Sequence, residues 1–275
     1  MILTVLISND RVSFALFDGK SEPSKASPMA TVELTARPAR TADEYAASLS
    51  AMLAPQTNGE SIALCILASV VPALTDVIQN AVHRLYPSLS CLTVGAGLRT
   101  GLTLRTDAPA ELGADLVALA SGALAMQAPP LLVLDCNDVT TVSAVGLGKN
   151  GPEFLGCAIL PGPNLGADAL KRHAAQLPSV AVAKPERAIG GNTAESLCAG
   201  LYWSYAAALE RITVLFDAEM GGQLLPAVVT GACIDPSVFQ SCGRPFTVSA
   251  HLAHVGLYRL ALLNVAKSGK APKRV

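Results

Sequence analysis

The stretch Leu131-Leu-Val-Leu-Asp-Cys-Asn-Asp-Val-Thr-Thr-Val-Ser-Ala-Val145 reads as a strand, a tight polar turn and a returning strand. An apolar run ends on Asp135, Cys136-Asn-Asp138 supplies the turn, and residues from Val139 onward are mostly β-branched, which suits a pleated surface. The chain opens on the same phrase. Ile2-Leu-Thr-Val-Leu-Ile7 leads through Ser8-Asn-Asp-Arg11 to Val12-Ser-Phe-Ala-Leu-Phe17, a second hairpin pattern. Working outward from the first copy gives a loop rich in Ser and Pro, a third strand at Ala30–Thr35, and a helix capped by Thr41 with Glu44 as its capping-box partner, ending near Leu53. A strand at Ile62–Ala68, a helix at Pro72–Tyr86 and a short strand near Cys91–Val94 follow. The second copy continues with a strand at Glu153–Leu160, helices at Asn164–Ala175 and Asn192–Val214, a strand at Ala227–Thr230 and a closing helix at Ala250–Val265. One order stated twice predicts a duplicated α/β chain with a mixed sheet in each half, divided into 1–120 and 121–275. Two such halves around a cleft would carry the turns near Ser8 and Asn137 on opposite walls.

Composition narrows the partners. With 275 residues and 51% hydrophobic content, there is enough chain for one large core or two ordinary ones. A net charge of -1 and 15% charged residues supply no field for nucleic acid or an anionic membrane, and the basic tail Lys267–Arg274 reads as a solvated terminus. Seven scattered cysteines without a CxxC pair fit buried, reduced thiols rather than a disulfide frame or a zinc site. With no signal-peptide order after Met1 and no uninterrupted apolar run of membrane-spanning length, the expectation is a cytoplasmic protein.

Two carboxylates stand where apolar pattern gives way to polar chemistry. Asp115 closes Pro109-Ala-Glu-Leu-Gly-Ala-Asp115 at the opening of an amphipathic helix with the stripe Leu112, Leu116, Leu119, Ala123; it is either a catalytic group or a polar boundary residue. Asp135 either binds a ligand or caps its turn, and Asp135, Asn137 and Asp138 together offer three oxygen side chains that a divalent cation could take. Thr193 follows Asn192, a natural N-cap, so it too has a purely helical reading. His251 and His254 read as a helical surface pair rather than metal ligands, and Trp203 and Tyr205 as core or interface aromatics.

Five segments, in order and spacing, carry a family resemblance. They are Ala68-Ser-Val-Val-Pro-Ala-Leu-Thr75, Pro109–Asp115, Phe154-Leu-Gly-Cys-Ala-Ile-Leu-Pro-Gly162, Ile189-Gly-Gly-Asn-Thr193 and Val229-Thr-Gly231. The chain resembles the type III pantothenate kinases, whose fold is the duplicated RNase H-like fold of the actin-like ATPase superfamily. The resemblance implies transfer of the γ-phosphoryl of ATP to pantothenate, the first step of coenzyme A synthesis. It also implies a homodimer through the second half, with Mg2+ and a monovalent cation, K+ or NH4+. Carried over by position, Asp115 matches the catalytic carboxylate. Thr106, Gly113, Ala114, Leu116 and Thr193 fall at substrate-contacting positions, Leu6, Ser8, Asn9, Asp10, Asp138 and Gly231 at nucleotide positions, and Asp135 at the cation position.

The chain departs from the family pattern inside the chemistry. The first phosphate loop of the family, Asp-x-Gly-Asn-Thr, is here Leu6-Ile-Ser-Asn-Asp10, and the second, Asp-Phe-Gly-Thr, is Asp135-Cys-Asn-Asp138. A glycine lets backbone approach phosphate and a hydroxyl donates to it; serine and a carboxylate do neither job easily. At about 4 Å from a phosphate oxygen a carboxylate costs on the order of 4 kcal/mol at an effective dielectric of 20. Leu116 stands for an arginine, Thr106 for a tyrosine, Cys157 for a glycine and Ala232 for the second glycine of Thr-Gly-Gly. The expected activity is therefore weakened or lost at the nucleotide step. The alternative is a non-catalytic homologue that binds a small ligand or an intact kinase paralogue.

Overall fold

In the computed structural model, residues 1–57, 61–174, 176–233, 235 and 243–265 are described. The basic tail, Cys242 and Ala175 lie outside them. The chain divides into two units, residues 1–126 with 251–275, and residues 127–250.

In the first unit, β1 (Ile2–Ile7) is buried at every position but Leu6, as befits a strand covered on both faces. It pairs antiparallel with β2 (Arg11–Phe17), and β2 pairs with β3 (Ala30–Thr35), whose alternating burial marks an edge strand. On the other side β4 (Leu64–Ser69) and β5 (Cys91–Thr93) run parallel to β1, giving the order β3-β2-β1-β4-β5. Helices α1 (Ala42–Thr57) and α2 (Pro72–Leu85) cover one face, where Tyr45, Leu49, Leu53, Ile78 and Val82 meet Phe14, Leu16 and Leu67. Each such aliphatic side chain contributes about 1.5–3 kcal/mol by burial. The capping box forms as the sequence predicts: Thr41 Oγ1 accepts from Glu44 N at 3.3 Å, and Glu44 Oε2 accepts from Thr41 N at 2.7 Å. A two-residue strand, β6 (Thr103–Leu104), precedes α3 (Ala114–Met126).

In the second unit β7 (Leu131–Asp135), β8 (Val139–Gly148) and β9 (Gly151–Pro161) form an antiparallel meander. Beyond them β10 (Ala227–Thr230) runs parallel to β7, and β11 (Phe246–Val248) parallel to β10. Besides α4 (Pro163–His173), this unit has α5 (Thr193–Glu219), whose Tyr202, Tyr205, Ala206 and Leu209 pack on Leu132, Leu134, Val142 and Val229. At the far end of α5 a buried Asp217 receives both ends of the Arg244 guanidinium, at 3.0 and 2.5 Å. Leu225 adds to the fork, its N–H donating to Asp217 and its carbonyl accepting from Arg244, while Arg244 Nε is buried without a partner.

Three expectations need correction. The closing helix, α6 (Leu252–Val265), does not go with the second half; it packs on α3 and β1, so the chain returns to its first unit. Gly122 and Gly256 make this contact, since a Cβ on either would strike the backbone of the other helix. For the same reason α3 is not amphipathic: every residue from Leu116 to Ala123 is buried. Nor does α3 open at Pro109. Pro109–Glu111 forms a single 3-10 turn and the α-helix begins after Gly113. The three-residue strand β11 was too short to leave a pattern.

Candidate functional site

At the C-terminal ends of parallel strands, sheets of this kind offer backbone groups and loops to ligands. In the first unit that edge holds three segments. Ile7 and Ser69 end β1 and β4 in register, and Val70 N donates to Ile7 O at 3.0 Å. Gly113 lies against Val70: a Cβ built on it would come 3.7 Å from Val70 Cγ1. The turn after β1, the residues after β4 and the start of α3 thus share one edge, and with them Gly113, Ala114 and Asp115.

Asp115 is the second residue of α3, half-buried, and its Oδ1 accepts from Leu116 N at 2.9 Å. The same N–H also donates to Gly113 O at 3.1 Å, and the positive end of the helix dipole makes a carboxylate at home in this first turn. Burial nonetheless pushes its carboxyl above the ordinary aspartate value, against the opposing backbone hydrogen bond. The result is a carboxylate of raised basicity at a strand-end edge. Leu116 points into the core instead of offering a guanidinium. Thr106 is half-buried with its Oγ1 shut from solvent and without a hydrogen-bond partner.

The turn after β1 is closed on itself. Ser8 N donates to Arg11 O at 2.9 Å, and Ser8 Oγ donates to Asp10 Oδ1 at 2.8 Å. Arg11 Nε donates to Asp10 Oδ2 at 2.9 Å, and its NH1 to Glu33 Oε1 at 2.6 Å. Asn9 and Asp10 are exposed, and Leu6 turns a half-buried apolar side chain where no ligand oxygen can be offered.

Below this hairpin lies a residue the sequence reading misplaced. His254 is buried in α6 rather than on the surface, with Nδ1 2.8 Å from Thr4 Oγ1 on β1 and Nε2 2.7 Å from Ser13 Oγ on β2. Burial, with the charge of His251 adding to it, lowers its imidazole to about 3.

In the second unit the turn Cys136-Asn-Asp138 lies under two glycines. Gly162, before α4, and Gly231, after β10, each stand where a Cβ would collide with the turn's backbone, and Gly231 has φ +92°. Cys136 N donates to Thr230 O at 2.8 Å, Cys233 N to Cys136 O at 2.9 Å, and Gly162 N to Asp138 O at 2.7 Å. Thr140 Oγ1 holds the turn from inside, donating to Asn137 O at 2.7 Å and lying 2.7 Å from the Tyr205 hydroxyl.

Asn137 Nδ2 donates to Asp135 Oδ1, while Asp138 Oδ1 accepts from Asn164 Nδ2 at 3.3 Å. Asn137 therefore turns its nitrogen, not its oxygen, to Asp135, and the three side chains do not form an oxygen cage. Among the described residues no group of three or more His, Cys, Asp or Glu is arranged to hold a metal ion. Thr193 is the exposed first residue of α5; Asn192 caps it, accepting from Glu195 N at 3.0 Å. Beside that helix start a cavity of about 470 Å³ is lined by Lys184, Arg187, Glu195 and Cys198.

Sequence reasoning singled out the two turns and Asp115, and gave no role to Arg11, Glu33 or Thr140. An arginine opening the second strand and a lone glutamate in an alternating strand were the available signals; only the β2–β3 register, Ser13 opposite Glu33, brings them together.

Comparison with known proteins supplies the rest. The profile of the type III pantothenate kinases matches residues 2–214. Proteins named type III pantothenate kinase from Acidobacterium capsulatum and Rhodospirillum centenum are 34% and 37% identical to this chain, over 84% and 80% of it and 84% and 81% of their own lengths. Among solved structures, a putative 2-dehydro-3-deoxygalactonokinase from Sinorhizobium meliloti superposes with a TM-score of 0.59 at 13% identity, covering 96% of this chain and 99% of that one. The activator of 2-hydroxyisocaproyl-CoA dehydratase from Clostridium difficile, with bound ADPNP, gives 0.55 at 11% identity, covering 100% and 98%. These likenesses establish the actin-like α/β fold. Among the described residues no helix is long and apolar enough to cross a membrane.

Proposed function

The chain belongs to the type III pantothenate kinase family, and we propose that it transfers the γ-phosphoryl group of ATP to the hydroxyl of pantothenate, with Asp115 as general base. The observation that carries this reading is Asp115 itself: a half-buried carboxylate of raised basicity, fixed by Leu116 N at the strand-end edge of the first unit. In the transfer the hydroxyl oxygen bonds to the γ-phosphorus, its proton passes to Asp115, and the bridging P–O bond breaks to release ADP. Such chemistry is mostly positioning and charge stabilisation, so one well-placed base is enough. Thr106, Gly113, Ala114, Leu116 and Thr193 would contact pantothenate, with the unpaired Thr106 hydroxyl the group most in need of a partner. Ser8, Asn9, Asp138 and Gly231 would face the nucleotide.

Of the implied cations, K+ or NH4+ fits Asp135, which supplies a hard oxygen. Magnesium finds no carboxylate in the first turn, where Leu6 has none to give and both oxygens of Asp10 are engaged; it would arrive with the nucleotide, held by phosphates. The exposed apolar side chains of the second unit, Leu147 (64%), Ile159 (67%) and Trp203 (40%), favour a homodimer through that unit, and the free cysteines among the described residues suit a reduced, cytoplasmic setting. A single-chain mass by light scattering would remove the dimer.

Asp115→Asn is the test. Turnover of pantothenate, followed as ADP release and as phosphorylated product, should fall about 10²–10⁴-fold while the melting temperature stays nearly constant. Full turnover in that variant would take Asp115 out of the mechanism. A wild-type protein that binds pantothenate and never phosphorylates it would return the non-catalytic reading.

A further inference from the structure

We propose that Asp10 is a built-in counter-anion: its carboxylate engages the donors of the first turn and, by holding Ser8 and Arg11, sets the affinity of this chain for nucleotide. The proposal rests on the functional reading above for the turn's place in the site, but not on catalysis.

The geometry is specific. Asp10 Oδ1 takes the Ser8 hydroxyl and Oδ2 takes Arg11 Nε, so each oxygen is matched to one donor of the turn. Those are the groups an exposed turn would otherwise offer to a phosphate: a hydroxyl and a guanidinium edge. Glu33 on β3 holds the same arginine by its NH1, which fixes the guanidinium beside the turn whether or not Asp10 is present. Against the opposing effect of burial, Ser8 and Arg11 keep the Asp10 carboxyl below its ordinary range, so it is ionised at neutral pH. The turn therefore carries Arg11 between two carboxylates, a local charge of -1, and a phosphate approaching it meets repulsion and occupied donors together. Removing Asp10 leaves a neutral turn with Arg11 Nε released, the Ser8 hydroxyl kept only by Arg11 O at 3.1 Å, and Arg11 still anchored by Glu33.

The two effects separate experimentally. Binding of ADP with Mg2+ is measured by titration calorimetry on the full chain carrying Asp10→Ala, Arg11→Gln, and both. If Asp10 withholds donors, Asp10→Ala tightens ADP at least threefold, and the gain vanishes when Arg11 is also replaced. An equal gain in both backgrounds, which is charge removal alone, overturns the proposal; so does no gain. Asp10→Gly, which adds no donor of its own, gives the same reading should the alanine variant fold poorly. Failure of the functional reading looks different: ADP affinity would respond as described while pantothenate remained unphosphorylated.

Discussion

The two turns that begin each half are copies in topology and opposites in construction. The first, Ser8–Arg11, has two backbone bonds, Ser8 N to Arg11 O and Ala36 N to Asp10 O, and is otherwise held by its own side chains through an Asp10–Arg11–Glu33 ion network, with no glycine among the described residues clasping it. The second, Cys136–Asp138, is held by backbone: Thr230, Cys233 and Gly162 clasp it, and Gly162 and Gly231 leave no room for a Cβ. A turn built by side chains can change its charge at little cost to the fold, because exposed ion pairs contribute about 0–1 kcal/mol each. One built by close backbone approach keeps its shape whatever its side chains become. This explains how the chain departs from the family pattern at Ser8, Asp10, Asn137 and Asp138 and still folds as the family does.

The strongest way to break the contrast is to change one residue at each turn. Gly231→Ala places a Cβ about the carbonyl of Cys136, 2.5 Å from its carbon and 2.8 Å from Cys136 N, at φ +92°. Strain and clash together should cost about 2–4 kcal/mol, seen as a lower melting temperature. Ser8→Gly, which removes atoms from the first turn, should change stability by less than about 0.5 kcal/mol. Equal losses would mean that the second turn is not clamped by backbone.

A second difference lies beneath the hairpins. His254 joins Thr4 on β1 to Ser13 on β2, while Thr140 and the Tyr205 hydroxyl serve β8 and α5. Only the first clamp titrates in the acid range. Burial lowers His254 to about 3 from 6.5, so below pH 6.5 the unfolded chain takes up a proton the folded chain refuses. Stability due to this group is complete above pH 6.5, falls as pH drops, and levels off near 3. At pH 5 the loss is on the order of 2 kcal/mol. Relative to the intrinsic exchange rate at each pH, amide protection should fall in β1 and β2 between pH 7 and 5 more than in β7 and β8, and His254→Gln should flatten the pH dependence. A parallel loss of protection in both hairpins would place the acid-labile group elsewhere.

Much of this architecture was legible because it depends on local pattern. The hairpins, the Thr41–Glu44 box and the Asn192 cap are written in residues no more than four apart. What escaped was set by distance in sequence. Burial of α3 on all sides follows from α6, more than a hundred residues later, meeting it through Gly122 and Gly256; His254 looks like a surface residue until Thr4 and Ser13 close over it. In the site, Asp115 could be placed by its motif, but its raised basicity comes from burial that no spacing reveals. The same holds for Arg11, whose partner Glu33 arrives only with the β2–β3 register.

The smallest expected effect sharpens the comparison from the ligand's side. Asp138 brings a carboxylate to the second turn as Asp10 does to the first, but its partners are weak: Asn164 Nδ2 at 3.3 Å and the Cys233 thiol at 3.9 Å. No guanidinium is withheld, so replacing it removes charge and little else. Half-buried and screened, that charge should count for less than the 4 kcal/mol of an unscreened contact, and Asp138→Thr should tighten ADP binding by roughly threefold, about 0.6 kcal/mol. Because the backbone fixes the turn, the melting temperature should hold, and the same gain in Asp138→Ala, which adds no hydroxyl, should shrink in high salt as a purely Coulombic effect must. A gain that survives high salt would show that Asp138, like Asp10, had been holding donors, and the two turns would then be alike in the one respect that matters to a phosphate.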